Sequence, residues 1–206
     1  VEPASGQHPF SQWSMGETHS GRIGLLVDAG VPPGRYTLAL SLRAEDETPL
    51  PVAGADTVES VTEVELGPVD IRRPATAADA GALPLDQQMS VELDRRLRLL
   101  GYALPERDFM PGEELPLTLY WRCLQPVGEE LVTFVQLLDR DGALMAAAVM
   151  SPTDGFFPTT GWQAGDLVRD RQPLRLPASL PDGEYRLIAG LFKRADQQRL
   201  SVTAGA

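Results

Sequence analysis

The chain has 206 residues, 43% of them hydrophobic and 23% charged, with a formal net charge of −11. That is length enough for one large domain or two sandwich-sized ones, while so acidic a surface repels phosphate backbones and anionic headgroups and so excludes nucleic-acid and direct membrane partners. The one cysteine, Cys123, allows neither an intrachain disulfide nor a multi-cysteine metal site.

In chain order, the opening VEPASGQHPF has no basic region ahead of an apolar run and does not read as a signal peptide. Residues 35–42 alternate Tyr36, Leu38, Leu40 and Leu42 with smaller or polar partners, the period of a half-buried strand. Residues 61–73 end the first half of the chain. The stretch RPATAADAGALPLDQQ that follows lacks hydrophobic periodicity and reads as a linker over 75–88, its alanines permitting a short helix. Strands are expected at 91–93 and 97–102, split by Asp94 and Arg95, although 93–100 has some helical character. Residues 115–123 put Leu117, Leu119, Trp121 and Cys123 on one face and Thr118, Tyr120 and Arg122 on the other. Residues 131–138 run into Asp139, Arg140, Asp141 and Gly142, a hairpin turn leading to a strand at 143–150. That last run, the longest of small apolar residues, is too short to span a bilayer. Residues 184–191 then repeat the pattern of 35–42.

That recurrence is part of a longer one. A shift of 149 residues lays VEPASGQHPFSQWSMGE on MSPTDGFFPTTGWQAGD without a gap, matching Trp13 to Trp162 and Gly16 to Gly165. It continues through Arg22 to Arg171, Leu25 to Leu174, Pro32 to Pro181, Gly34 to Gly183 and Tyr36 to Tyr185. Thirteen of the first 44 positions are identical, eight of them Gly, Pro, Trp or Tyr, so the match reports a repeated fold unit. The period exceeds half the chain, so residues 1–74 read as the C-terminal half of a first module. Residues 89–206 read as a second module lacking its last strand.

Few residues suggest chemistry. Trp13 and Trp162 can stack on sugar rings from loops, but their recurrence favours indoles that plug a core and donate to a backbone carbonyl. Phe156 and Phe157 replace Gln7 and His8 of the first copy, so the fold does not demand them, and with Trp162 and Tyr120 they form the candidate ligand-binding set. Asp139 and Asp141 resemble the start of a calcium loop without its remaining ligands, which leaves a turn. The pairs Glu113 with Glu114 and Glu129 with Glu130 lie beside turns, with no sign of the cleft that glycosidase carboxylates span. Ser11, His19 and Asp28 assemble a triad on paper without nucleophile-elbow glycines. His8 is the remaining histidine. Cys123 reads as a core residue.

The strings LRLLGYAL, PGEELPLTLYWR, VTFVQLLDRDGALMA and PTTGWQAGDLVRDRQPLRLPASLPDGEYRLIAGLF together resemble a bacterial module. It is the soluble β-sandwich module found C-terminal to multi-pass membrane glycosyltransferases of the protein-mannosyltransferase-like type, and in tandem in surface proteins. The resemblance covers roughly residues 97–200 and the half-copy from 3 to 73, with Gln136 where a His is expected and Ala164 where a Pro is. It implies an extracytoplasmic location, anchored by a region outside these residues. The glycosyltransferase's catalytic residues belong to its membrane part, so nothing catalytic carries over.

The expectation is an all-β chain of immunoglobulin- or fibronectin-like antiparallel β-sandwich modules in tandem, with no cofactor and no metal. Its expected role is non-catalytic, as a spacer or in recognition of a glycan or protein. The alternatives are a structural or adhesive array without a small-molecule ligand and, third, a hydrolase. A half sandwich leaves an open edge and an apolar face. Residues 1–74 are therefore expected either to pack on the second module, completing its sheets, or to pair with another chain in a homodimer.

Overall fold

The computed structural model describes residues 12–20, 23–44, 46, 48–51, 61–75 and 79–205. Among these the chain is all-β, with antiparallel sheets, a few single 3-10 turns and no α-helix.

The core is built by residues 87–205. Five strands form one sheet in the order β12 (Val202–Ala204), β3 (Gln87–Leu93), β4 (Leu97–Ala103), β6 (Thr118–Cys123) and β9 (Leu167–Arg171). Three more form a second sheet in the order β11 (Arg186–Lys193), β7 (Leu131–Leu138) and β8 (Leu144–Met150). The two-residue strands β5 (Glu114–Leu115) and β10 (Leu174–Arg175) pair with each other. Leu97, Leu99, Trp121 and Val168 from the larger sheet meet Val135, Leu137 and Leu191 from the smaller in one buried cluster. The alternation read at 115–123 is reproduced: Leu117, Leu119, Trp121 and Cys123 are all in that cluster, while Tyr120 lies in a separate one with Leu83 and Leu167. The run is not one strand, however, because Pro116 has no N–H to donate and pairing breaks between β5 and β6. Residues 93–100 form no helix. Asp94 and Arg95, at φ 49° and 56°, are the left-handed turn between β3 and β4.

The stretch between the copies is partly structured. Ala80–Ala82 is a 3-10 turn capped by the Asp79 carboxylate, Ala80, Leu83 and Leu85 pack in the Tyr120 cluster, and β3 already begins at Gln87. At the other end, β12 pairs with β3.

The first half-copy contributes β1 (Gly34–Leu40) and β2 (Val64–Ile71), a two-stranded antiparallel sheet of their own. It packs on the second module without adding a strand to either large sheet. Leu25 and Val27 are 72% and 50% exposed, while their counterparts Leu174 and Leu176 are 1% and 5% exposed. The residues that make a core in the second copy thus lie open in the first.

Candidate docking site between the two copies

The repeat extends to individual hydrogen bonds. Ser14 N–H donates to the Glu17 carboxylate at 2.9 Å and Glu17 N–H returns to the Ser14 carbonyl at 3.1 Å. In the second copy Gln163 N–H donates to the Asp166 carboxylate at 2.8 Å and Asp166 N–H to the Gln163 carbonyl at 3.0 Å. Gly16 and Gly165 take the same left-handed position in these turns, at φ 87° and 93°. The Tyr36 hydroxyl donates to the Pro32 carbonyl at 2.7 Å, and the Tyr185 hydroxyl to that of Pro181. Each tyrosine thus fastens the start of its strand to the chain four residues upstream, as in a tyrosine corner.

Among the described residues, three polar or aromatic contacts join the copies. Just past β2, Arg73 makes a bidentate pair with Asp166, Nε to Oδ1 at 2.7 Å and Nη2 to Oδ2 at 3.0 Å. Its Nη2 also donates to the Gly161 carbonyl at 2.9 Å, and the guanidinium lies 5.8 Å from the Phe157 ring centroid. The Asp166 side chain is only 7% exposed, so the acidic turn of the second copy closes over an arginine of the first. Secondly, β9 is an edge strand whose Arg169 N–H points away from β6, and the Gly30 carbonyl accepts it at 2.8 Å. Asp28 pairs with the Arg169 guanidinium at 2.8 Å. At Gly30, φ is 86° and a Cβ would lie 2.9 Å from Arg169 N, so glycine is needed both for conformation and for approach.

The third contact is Phe156. Its ring centroid lies 4.9 Å from that of Tyr36, and a Cβ on Gly34 would sit 2.7 Å from the ring. The turn that presents it is set by the core beneath. Thr153, Asp154 and Gly155 are all left-handed, at φ 54°, 54° and 78°, and Thr153 N–H donates to Asp170 Oδ1 at 2.8 Å. Asp170 is fully buried on β9 and accepts three further bonds, from Gln172 Nε2 at 2.8 Å, Thr133 Oγ1 at 2.9 Å and Trp121 Nε1 at 3.2 Å. Burial pushes its carboxyl above the ordinary carboxylate range, against the downward pull of those donors. One buried group thus ties both sheets to the turn and holds it in a backbone conformation that non-glycine residues seldom adopt.

Of the four aromatic candidates, the structure brings Phe156, Phe157 and Trp162 into one turn region and leaves Tyr120 apart. Phe156 points outward, 50% exposed. Phe157 points inward and is buried; its carbonyl accepts Trp162 Nε1 at 3.0 Å, which makes Trp162 a core plug. Tyr120 is buried on the outer face of the five-stranded sheet. Burial leaves Phe157, Trp162 and Tyr120 no open ring face for a sugar to stack on. Trp13, the counterpart of Trp162, is half-buried and stacks on His19 at 4.2 Å.

The remaining residues have structural partners. The Asp139 carboxylate accepts Asp141 N–H and Ala143 N–H at 3.0 and 2.8 Å, closing the hairpin turn between β7 and β8. Glu113 pairs with Arg107, Glu129 with Arg96 and Lys193, and Glu130 with Arg194, while Glu114 begins β5. His19 bonds Glu17 at 3.2 Å and Asp28 bonds Arg169; Ser11 and His8 lie outside the described residues. Cys123 is buried, and burial pushes its thiol up to about 11.

Sequence reading did not find Arg73, Asp166, Arg169 or Asp170, and it met Asp28 only in a paper triad, not as a partner of Arg169. The recurring Trp-x-x-Gly-Asp/Glu and Gly-x-Tyr patterns point to the turn and the corner, but nothing local to Arg73 marks a partner 93 residues away. No family model and no curated protein matches the chain. Among solved structures, the crystal structure of chicken MD-1 complexed with lipid IVa aligns over 54% of this chain and 89% of that one, at 16% identity and a TM-score of 0.29.

Proposed function

We propose that the chain is a non-catalytic pair of immunoglobulin- or fibronectin-like β-sandwich modules, the first represented by its C-terminal half. In this reading it is a stiff spacer whose modules hold one another through docked side chains. The observation that carries it is the Arg73–Asp166 pair, which joins a turn repeated in both copies to the arginine leaving the last strand of the first. Two sheets facing across one core and a tyrosine corner in each copy support the sandwich assignment. Three of the four aromatics suited to sugar stacking are buried, and the fourth already lies against Tyr36, which favours protein contacts over glycan recognition. Following the sequence resemblance, its setting is extracytoplasmic, as an appendage of a membrane glycosyltransferase or surface protein.

A glycan array probed with the purified chain, beside calorimetry of its unfolding, tests this reading. It predicts no oligosaccharide retained above background and a single unfolding transition that includes the docked first segment. Saturable retention of one oligosaccharide class, or a separate low-temperature transition for that segment, would count against it.

A further inference from the structure

The corner that receives Phe156 exists twice. In the first copy Val31, Pro32 and Tyr36 line a depression of about 510 Å³ together with Phe156. The same three positions of the second copy, Leu180, Pro181 and Tyr185, line a larger cavity of about 800 Å³. There Tyr102, Phe109 and Met110 add apolar wall beside a charged rim. The loop over the cavity is tied down: Glu113 accepts from Arg107 at 2.9 Å and from Met110 N–H at 3.1 Å, and the Arg107 guanidinium covers the Phe109 ring at 4.0 Å.

We infer that this second cavity is a socket for an aromatic side chain carried on a turn like 153–157 of another copy of the module. The inference rests on the reading of docked modules and names the chemistry of the next contact. Three observations converge. The corner repeats the one that seats a phenylalanine in the first copy. Its floor, from Leu115, Leu137 and Leu187, is apolar around the equivalent tyrosine. Its rim carries Asp86, Glu106, Asp108 and Asp182 against Arg107, whose charge Glu113 already offsets, and Phe156 arrives beside Asp154, Arg171 and an Arg169 whose charge Asp28 offsets. Arg171 is thus the cation beside the aromatic that can face the acidic rim.

The test uses the full chain. Gly34→Val places a side chain where the Phe156 ring lies and frees the turn from its own corner, so it can reach the cavity of a second molecule. Short tethers act as effective concentrations in the millimolar range, so sedimentation is followed to about 1 mM. The wild type is expected to be monomeric and G34V to gain mass with concentration. Adding Phe156→Ala, or Met110→Arg on the exposed rim, should restore the monomer. A G34V chain that stays monomeric overturns the inference, as does association that survives either second substitution. If the wild type itself associates with the same dependence on Phe156 and Met110, the socket stands and the docking within one chain does not.

Discussion

The Arg73 guanidinium and the Asp166 carboxylate meet through two parallel hydrogen bonds across 93 residues of sequence, with the carboxylate almost wholly out of water. The acid is also the internal cap of its own turn, through Gln163 N–H. The pair therefore couples the local geometry of the second copy to the position of the first.

Arg73→Ala is expected to cost about 1–3 kcal/mol, the range for losing a hydrogen bond to a buried charged group. Asp166→Ala should cost more, because it also removes the cap. The double variant should fall short of the sum. Urea unfolding of the four proteins gives the cycle, and strict additivity would show that the two residues do not interact in solution.

Gly30→Ala should open the edge of β9. The added Cβ meets Arg169 N at 2.9 Å in a conformation already strained for alanine. Gly128→Ala, also at positive φ but facing open space, is the control for backbone strain alone, worth about 1 kcal/mol. Amide exchange at Arg169 reads the difference: it should accelerate in G30A and stay slow in G128A.

Asp170 is raised above its ordinary 3.8 by burial. A carboxyl with a raised value in the folded state binds more protons there than in the unfolded chain. The contribution of this group to stability must therefore fall as pH rises from 3.8 through the folded value and level off above it. Asp170→Asn should flatten that slope and, by setting an amide N–H₂ against neighbouring donors, destabilise by about 1–3 kcal/mol. Asp170→Ala leaves four donors without their acceptor and should be worse, releasing the Thr153 turn and with it Phe156. Urea midpoints across pH 3–7 compare the three proteins.

Cys123 makes a second, independent pH signature. Its thiol is displaced from 9.0 to about 11, with burial the main cause and Asp166 adding to it. Folding favours the neutral thiol, so stability should decline as pH climbs from 9.0 towards 11 and be indifferent to this group below. At pH 8 the native chain should resist a thiol reagent that reacts promptly once urea is added.

The sequence makes the inside of the second module legible. Period-two alternation put Trp121 and Cys123 on the core side and Tyr120 opposite, and Asp139 to Gly142 read as a hairpin turn, because each pattern is local to its element. The repeat carried Tyr36 and Tyr185 into equivalent bonds, because a corner needs only a few consecutive residues. The strands expected at 91–93 and 97–102 form within β3 and β4, and the helical character of 93–100, rich in Arg and Leu, is outweighed by cross-strand pairing with β6. The contacts between copies were not legible, since Asp28 with Arg169, and Arg73 with Asp166, depend on how finished sheets meet. Phe156 and Phe157 look alike in the chain, and only the left-handed turn anchored on Asp170 sends one outward and the other in.

The most direct test of the central claim is the distance between spin labels on cysteines introduced at Thr37, exposed on β1, and Ala147, exposed on β8. Buried Cys123 should stay unlabelled under native conditions. A docked spacer predicts one narrow distance distribution that broadens when Arg73→Ala and Phe156→Ala are added. A broad distribution before those substitutions would contradict the account, because the two copies would then not be held together at all.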